Sequence, residues 1–295
     1  MVNLNKLKKK KINKKQIINK KQIINKKQII NKKQIINKNK KLINFNNIIK
    51  LEEPKIIEEP KIIEEPKIIE EPKIIEEPEE IKILKQRLKE IHNNLKLEYG
   101  NFDEEVPEQL MVMRYLTGNE KVLELGGNIG RNSLVIAYIL NQNNNNNLVT
   151  FESDPDIAEQ LMYNKNQNNL DFKIEASALS NRNLIQQNWD TVLSDEILPG
   201  YKKVNTINYD IFKQKYNIDF DTLVVDCEGA LYYILIDMPQ ILDNIKLIIM
   251  ENDYKDINHK KYIDNILKER SFKIDYVESG GWGPCCDNFF EVWKK

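Results

Sequence analysis

The stretch Lys121-Val-Leu-Glu-Leu-Gly-Gly-Asn-Ile-Gly-Arg-Asn-Ser133 decides how the rest of the chain is read. Val122 to Leu125 is an apolar run carrying one acid, Glu124, and it predicts a strand. Gly126-Gly127 breaks that run, and a helical pattern opens after Gly130. Strand, glycine turn and helix N-terminus in succession make a nucleotide-sized site in α/β folds. Glycine lets a ligand approach the backbone, and the helix end offers unpaired N–H groups. The dinucleotide fingerprint G-x-G-x-x-G is not met, because Asn128 stands at its second glycine. That substitution disfavours a nicotinamide-dependent dehydrogenase. Asn tolerates positive φ better than other non-glycine residues, so Asn128 is expected in the left-handed region.

Strands and helices alternate outward from this turn. Residues 131–140 read as a helix, and residues 148–151 as a strand that ends on Glu152. An acid at a strand end, about 20 residues past the glycine turn, is the arrangement in which a carboxylate accepts both ribose hydroxyls. Asp154-Pro155 opens a helix to about residue 168. A strand over 172–176 leads into Ser177-Ala178-Leu179-Ser180, a loop expected to face an adenine ring. Residues 181–204 carry no readable pattern, and a short helix is expected over 209–216. The apolar run 222–225 is a fourth strand, ending in Asp226-Cys-Glu-Gly229, with a helix over 230–237 behind it. A fifth strand over 246–250 again meets an acid, Glu251. A helix over 259–270 and strands over 272–277 and 289–293 follow, the strands separated by a glycine-rich loop holding Trp282. Upstream, the spacing of Ile81, Leu84, Leu88, Ile91 and Leu95 predicts a helix. A second is expected over 104–116, capped by Asp103 with Pro107 in its first turn. This alternation predicts a doubly wound, mostly parallel sheet.

The formal net charge of zero hides strong segregation. Residues 1–50 hold 17 Lys and no Asp, Glu or Arg, whereas residues 51–80 hold 12 Glu and 4 Lys. The remaining 215 residues carry 24 basic and 33 acidic side chains and are long enough to bury a core. Residues 13–36 are four copies of Asn-Lys-Lys-Gln-Ile-Ile, and residues 52–75 four copies of Glu-Glu-Pro-Lys-Ile-Ile. Six residues advance a helix by about 600°, and on a strand adjacent isoleucines face opposite sides, so neither repeat gains one buried face. The expected organisation is a basic disordered arm (1–50), an acidic spacer (51–80) and a globular domain (81–295). The arm would serve a polyanion or an acidic protein partner, or is repeat expansion alone. Three cysteines, two of them adjacent at Cys285-Cys286, form no disulfide or zinc framework and suggest a reducing, cytoplasmic setting. No apolar run approaches the about 20 residues of a membrane span.

The order and spacing of these pieces resemble the FkbM family of S-adenosylmethionine (SAM)-dependent, class I methyltransferases. The matching residues are Glu124-Leu-Gly-Gly-Asn-Ile-Gly-Arg-Asn-Ser133, Phe151-Glu-Ser-Asp-Pro155, Ala178-Leu-Ser180, Asn205-Thr-Ile207 and Asp226-Cys-Glu-Gly-Ala230. Gly127, Ser153 and Val224 depart from the family's usual Ala, Pro and Lys. The resemblance implies a Rossmann-like seven-stranded sheet with an antiparallel last strand, SAM as cofactor, and O-methylation of a sugar or other hydroxyl. It assigns the methionine and ribose pocket to Gly126, Asn128 and Gly130, the amino group to Glu124 and the ribose hydroxyls to Glu152. Ser177 and Ala178 would border the adenine, and Asp226 and Glu228 would act as base or substrate positioner. Each acid also has a plain structural reading: Glu124 and Glu152 as strand-end caps, Asp226 as the cap of the next helix. Asp226, Glu228 and Glu251 without a known geometry do not define a metal site.

Two other readings stand beside this one. An RNA 2′-O-methyltransferase would suit the basic arm, but its Lys-Asp-Lys-Glu tetrad has no counterpart where Glu251 ends the fifth strand. A non-catalytic SAM-fold interaction module is the other alternative, with the intact Glu124, Glu152 and Asp226 against it.

Overall fold

The computed structural model describes residues 78–295; the expected basic arm, and the acidic spacer up to residue 77, lie outside the described part. The chain runs α1 (Glu79–Asn94), α2 (Val106–Tyr115), β1 (Val122–Leu125), α3 (Arg131–Asn141), β2 (Leu148–Phe151), α4 (Pro155–Gln167), β3 (Lys173–Glu175) and β4 (Ala178–Leu179). It continues through β5 (Leu184–Gln187), β6 (Asp190–Leu193), β7 (Lys202–Lys203), β8 (Thr206–Ile207), α5 (Tyr209–Tyr216), β9 (Thr222–Val225) and α6 (Leu231–Asp237). It closes with β10 (Leu247–Glu251), α7 (Ile257–Glu269), β11 (Lys273–Glu278) and β12 (Phe290–Lys294).

Seven strands form one sheet in the order β11-β12-β10-β9-β1-β2-β3. β10, β9, β1, β2 and β3 pair in parallel, and β12 runs antiparallel to both of its neighbours. The topology is therefore Rossmann-like, with a reversed final strand. Alternation along the strands feeds two cores, because successive side chains leave a strand on opposite faces. Leu123, Leu125, Val149, Phe151, Leu223, Val225, Ile248 and Met250 pack on one face with Phe212 of α5, Leu231 of α6 and Ile263 of α7. Val122, Leu148, Val224 and Ile249 pack on the other with residues of α1, α2, α3 and α4. Burying each such side chain contributes about 1.5–3 kcal/mol. On β12, Glu291 is buried and accepts from Lys260 Nζ (2.9 Å) and Trp293 Nε1 (2.8 Å), tying the reversed strand to α7.

Side-chain caps fix three helix starts. Asp154 accepts from Asp156 N–H (2.8 Å), Asn208 from Ile211 N–H (2.9 Å) and Asp256 from Asn258 N–H (2.9 Å). The last of these opens α7 at Ile257, two residues before the expected start at His259. The expected Asp103 cap of α2 does not form. The cap position is Glu105, in the left-handed region at φ 63°, and its side chain makes no cap bond. It is drawn away by Arg131, whose Nη1 donates to it at 2.8 Å, and by Asn128 Nδ2 at 3.1 Å. Residues 181–204, unreadable in the sequence, contain the antiparallel hairpin β5–β6 with β7 added to its other edge.

Candidate functional site

A cavity of about 670 Å³ opens beyond the carboxyl ends of β1, β2, β9 and β10. Ligands of open α/β sheets bind in this position, and the volume falls in the range of small-molecule sites. Seven of the nine expected site residues line it: Gly126, Asn128, Glu152, Ser177, Ala178, Asp226 and Glu228. Glu124 and Gly130 do not.

The glycine turn passes very close to the loop after β9. Gly126 has φ 94°, and a Cβ built there would lie 1.5 Å from the carbonyl oxygen of Asp226. Only glycine satisfies both the backbone conformation and that approach. Asn128 adopts φ 46°, as expected. Its N–H donates to one carboxylate oxygen of Glu152 at 2.8 Å, and the N–H of Asp154 donates to the other at 2.8 Å. Glu152 thus braces the turn against the start of α4. A carboxylate has about four acceptor sites, so further donors can still be accommodated. Burial pushes the Glu152 carboxyl above its usual range, against the pull of those two backbone bonds.

Glu124 turns the other way. It is 1% exposed and faces α3, where Ser133 Oγ donates to one of its oxygens. Its other oxygen has no partner. Burial pushes this carboxyl up to about 7, with the hydrogen bond from Ser133 working against the shift.

On the far side of the turn, acids gather. Oxygens of Glu108, Asp226 and Glu251 lie within 4.8 Å of one another. Asp226 does not cap α6: the cap position is Ala230, without a side-chain bond. Burial, reinforced by the charges of Glu105, Glu108, Asp253 and Glu228, holds the Asp226 carboxyl well above its usual range. Burial and the neighbouring Asp226 raise Glu251 likewise, and its carboxyl is also hydrogen-bonded to that of Glu108. Asp253 is pushed up to about 7, chiefly by burial and then by Glu228. Glu228 itself is exposed and sits at φ 51°. The arrangement can accept a proton or hold a cation.

Sequence reasoning missed Glu105, Glu108 and Asp253. Glu105 and Glu108 stand three apart at the start of a helix, a spacing that puts both on one face, and Asp253 repeats the strand-end acid Glu251 two residues on. The β5–β6 region also lines the cavity, with the apolar Leu184, Trp189 and Val192 beside Gln186 and Thr191. Arg182 also reaches the wall, but its guanidinium is held by Asp237 at 2.6 and 2.8 Å.

No family model matches the chain, and no curated protein does. Among solved structures it is similar to an O-methyltransferase from Bacillus cereus in complex with S-adenosylhomocysteine (SAH), at 16% identity over 75% of this chain and 93% of that one, with a TM-score of 0.41. It is similar to a ribosomal protein L11 methylase from Lactobacillus delbrueckii subsp. bulgaricus, at 13% identity over 67% and 80% of the two chains, TM-score 0.41. Aeropyrum pernix fibrillarin with natively bound SAM shares 12% identity over 66% and 75%, TM-score 0.38. These are distant likenesses, and the functional reading below rests on the cavity.

Proposed function

We propose that this chain is a SAM-dependent methyltransferase that methylates a hydroxyl, of a sugar or another acceptor. The observation that carries the reading is the division of one cavity by the Gly126–Gly130 turn: a braced carboxylate, Glu152, on one side and the acids around Asp226 on the other. The residues fit the cofactor. The bare backbone at Gly126 admits close approach, Glu152 is oriented by two N–H donors with acceptor capacity left, and the volume suits a nucleoside-sized ligand.

When bound, SAM supplies an electrophilic methyl group on a sulfonium. In this reading Glu152 holds the ribose hydroxyls, Ser177 and Ala178 border the adenine, and Gly126 and Asn128 shape the ribose and methionine pocket. Gly130 acts through the turn rather than from the cavity wall. Glu124, lying outside the wall, keeps β1 and α3 in register through Ser133 and so acts on the methionine end through the backbone. Asp226 or Glu228 would take the proton from the acceptor's hydroxyl, the oxygen of which the bound cofactor would methylate. Positioning supplies most of the rate in such a displacement. The lysine-rich arm is the segment suited to a polyanion or acidic protein partner. Among the described residues no helix is long and apolar enough to cross a membrane.

The test is calorimetric titration of SAH into the full chain and into Glu152→Ala. Saturable one-to-one binding, lost in a variant whose circular dichroism is unchanged, supports the reading. A folded full chain that does not bind SAH refutes it and leaves the interaction-module alternative.

A further inference from the structure

We infer that Trp189, at the tip of the β5–β6 hairpin, determines acceptor specificity, and that the acceptor is an uncharged aromatic hydroxyl compound whose ring packs against it. The inference rests on the methyl-transfer reading, of which it names the substrate class. Trp189, Leu193 of β6 and Tyr233 of α6 all line the cavity, yet they are 57%, 64% and 44% exposed. Scattered exposed apolar residues need no explanation, but a group of them on the wall of one cavity marks a surface that a ligand covers.

The anchors of the hairpin place its tip on the acceptor side. On β5, Gln186 Oε1 accepts from Ser153 Oγ at 3.0 Å, next to Glu152. At the tip, Asp190 Oδ1 accepts from Lys255 Nζ at 3.2 Å. Burial raises the Glu228 carboxyl and the charge of Lys255 opposes that shift, so Lys255 stands near Glu228. The hairpin therefore reaches from the ribose-binding carboxylate to the acids around Asp226, and Trp189 adjoins the residue anchored at that second end.

The chemistry of the lining selects the occupant. Seven carboxyl side chains line the cavity against one base, Arg182. That base is committed to Asp237 and to the ring of Tyr233, 5.0 Å from its centre. An anionic acceptor would meet acids with no free base to pair with, and burying its charge unpaired is costly. A sugar would need partners for several hydroxyls, and the hairpin offers few. Gln186 already bonds Ser153 and the carbonyl of Asn188, which leaves the hydroxyl of Thr191 among Leu184, Trp189 and Val192. A flat aromatic ring suits this surface, because it buries against Trp189 at offset or edge-to-face geometry and asks for no hydrogen bonds there. Its one hydroxyl then needs partners only at the acids.

The test is calorimetric titration of β-naphthol into the full chain in the presence of SAH, with methyl β-glucoside and β-naphthyl phosphate as the sugar and anionic counterparts. The expected result is one saturable equivalent of β-naphthol, with both counterparts at least about tenfold weaker. Trp189→Ala should weaken β-naphthol at least about tenfold, whereas Trp189→Phe, which keeps a ring, should stay within about threefold. SAH affinity should be unchanged in both variants, and a thermal melt of each confirms folding. The comparison of the three probes on the parent chain needs no variant. Absence of saturable β-naphthol binding overturns the inference, as does tighter binding of either counterpart. Equal β-naphthol affinity in folded Trp189→Ala also overturns it, and so does an equal loss of SAH affinity, which would put Trp189 on the cofactor. Titration of SAH alone separates the two readings: SAH binding without β-naphthol binding removes this inference alone, whereas β-naphthol binding without SAH binding removes the cofactor reading.

Discussion

Glu124, expected from the sequence near the cofactor's amino group, is held in the fold by Ser133 of α3. It sits on β1 beside the glycine turn, yet alternation points it at α3 and away from the cavity. Its carboxyl is pushed up to about 7 from 4.5 by burial. The folded chain therefore holds this proton more tightly than the unfolded chain does. The associated stability is fully present below about pH 4.5 and is lost as pH rises through about 7. At 1.36 kcal/mol per unit, the whole effect is about 3 kcal/mol. Glu124→Gln keeps an acceptor for Ser133 and cannot ionise. Urea titrations from pH 4.5 to 8 should show the variant gaining on the parent as pH rises. A constant difference across that range would mean that Glu124 does not titrate there.

At the scale of the element, the β1–α3 turn depends on a single missing methyl group. Gly126→Ala sets a Cβ 1.5 Å from a backbone oxygen, at φ 94°. Gly130→Ala also adopts positive φ, but its Cβ meets Leu161 Cδ1 at 2.5 Å, the movable end of a side chain. The backbone at Asp226 cannot yield without displacing β9, so Gly126→Ala should cost several kcal/mol and Gly130→Ala about 1–2 kcal/mol. Denaturant midpoints test the order, and equal losses would contradict the steric account. This turn and the strands were legible for a local reason: Thr222–Val225 is uniformly buried, aliphatic after its threonine and flanked by acids, and Tyr209–Tyr216 follows a good cap, Asn208. The β5–β6 hairpin was not legible. Its turn reads Asn188-Trp189 rather than Asn-Gly, and its strands lack clean alternation because one side borders a cavity instead of a core. Glu108 was hidden for a different reason: a lone acid on an amphipathic helix reads as surface until the sheet end it packs against is known. The turn side of the cavity, set by local turn chemistry, was thus readable, as were the strand-end acids Asp226 and Glu251, whereas Glu108, brought to them from a separate helix, was not.

Over the whole molecule the dominant pattern is charge sorted along the chain. Residues 1–50 carry 17 lysines without one acid, whereas residues 81–295 carry 33 acids against 24 bases. A polyanion should therefore meet the first 50 residues and be repelled elsewhere. Affinity of this kind comes from released counterions, so it carries a diagnostic salt dependence. Five lysines engaged on a single-stranded oligonucleotide give log K against log salt a slope of about −3.5. Fluorescence anisotropy with a labelled 20-nucleotide oligomer, from 50 to 200 mM NaCl, should show that steep slope and little preference between sequences. Deleting residues 1–50 should abolish binding while leaving SAH affinity unchanged, because every described residue that lines the cavity lies after 104. A shallow slope, or binding that survives the deletion, would instead locate nucleic-acid contacts on the acidic domain. That outcome would revive the RNA-methylating alternative on which the Lys-Asp-Lys-Glu tetrad counts against this chain.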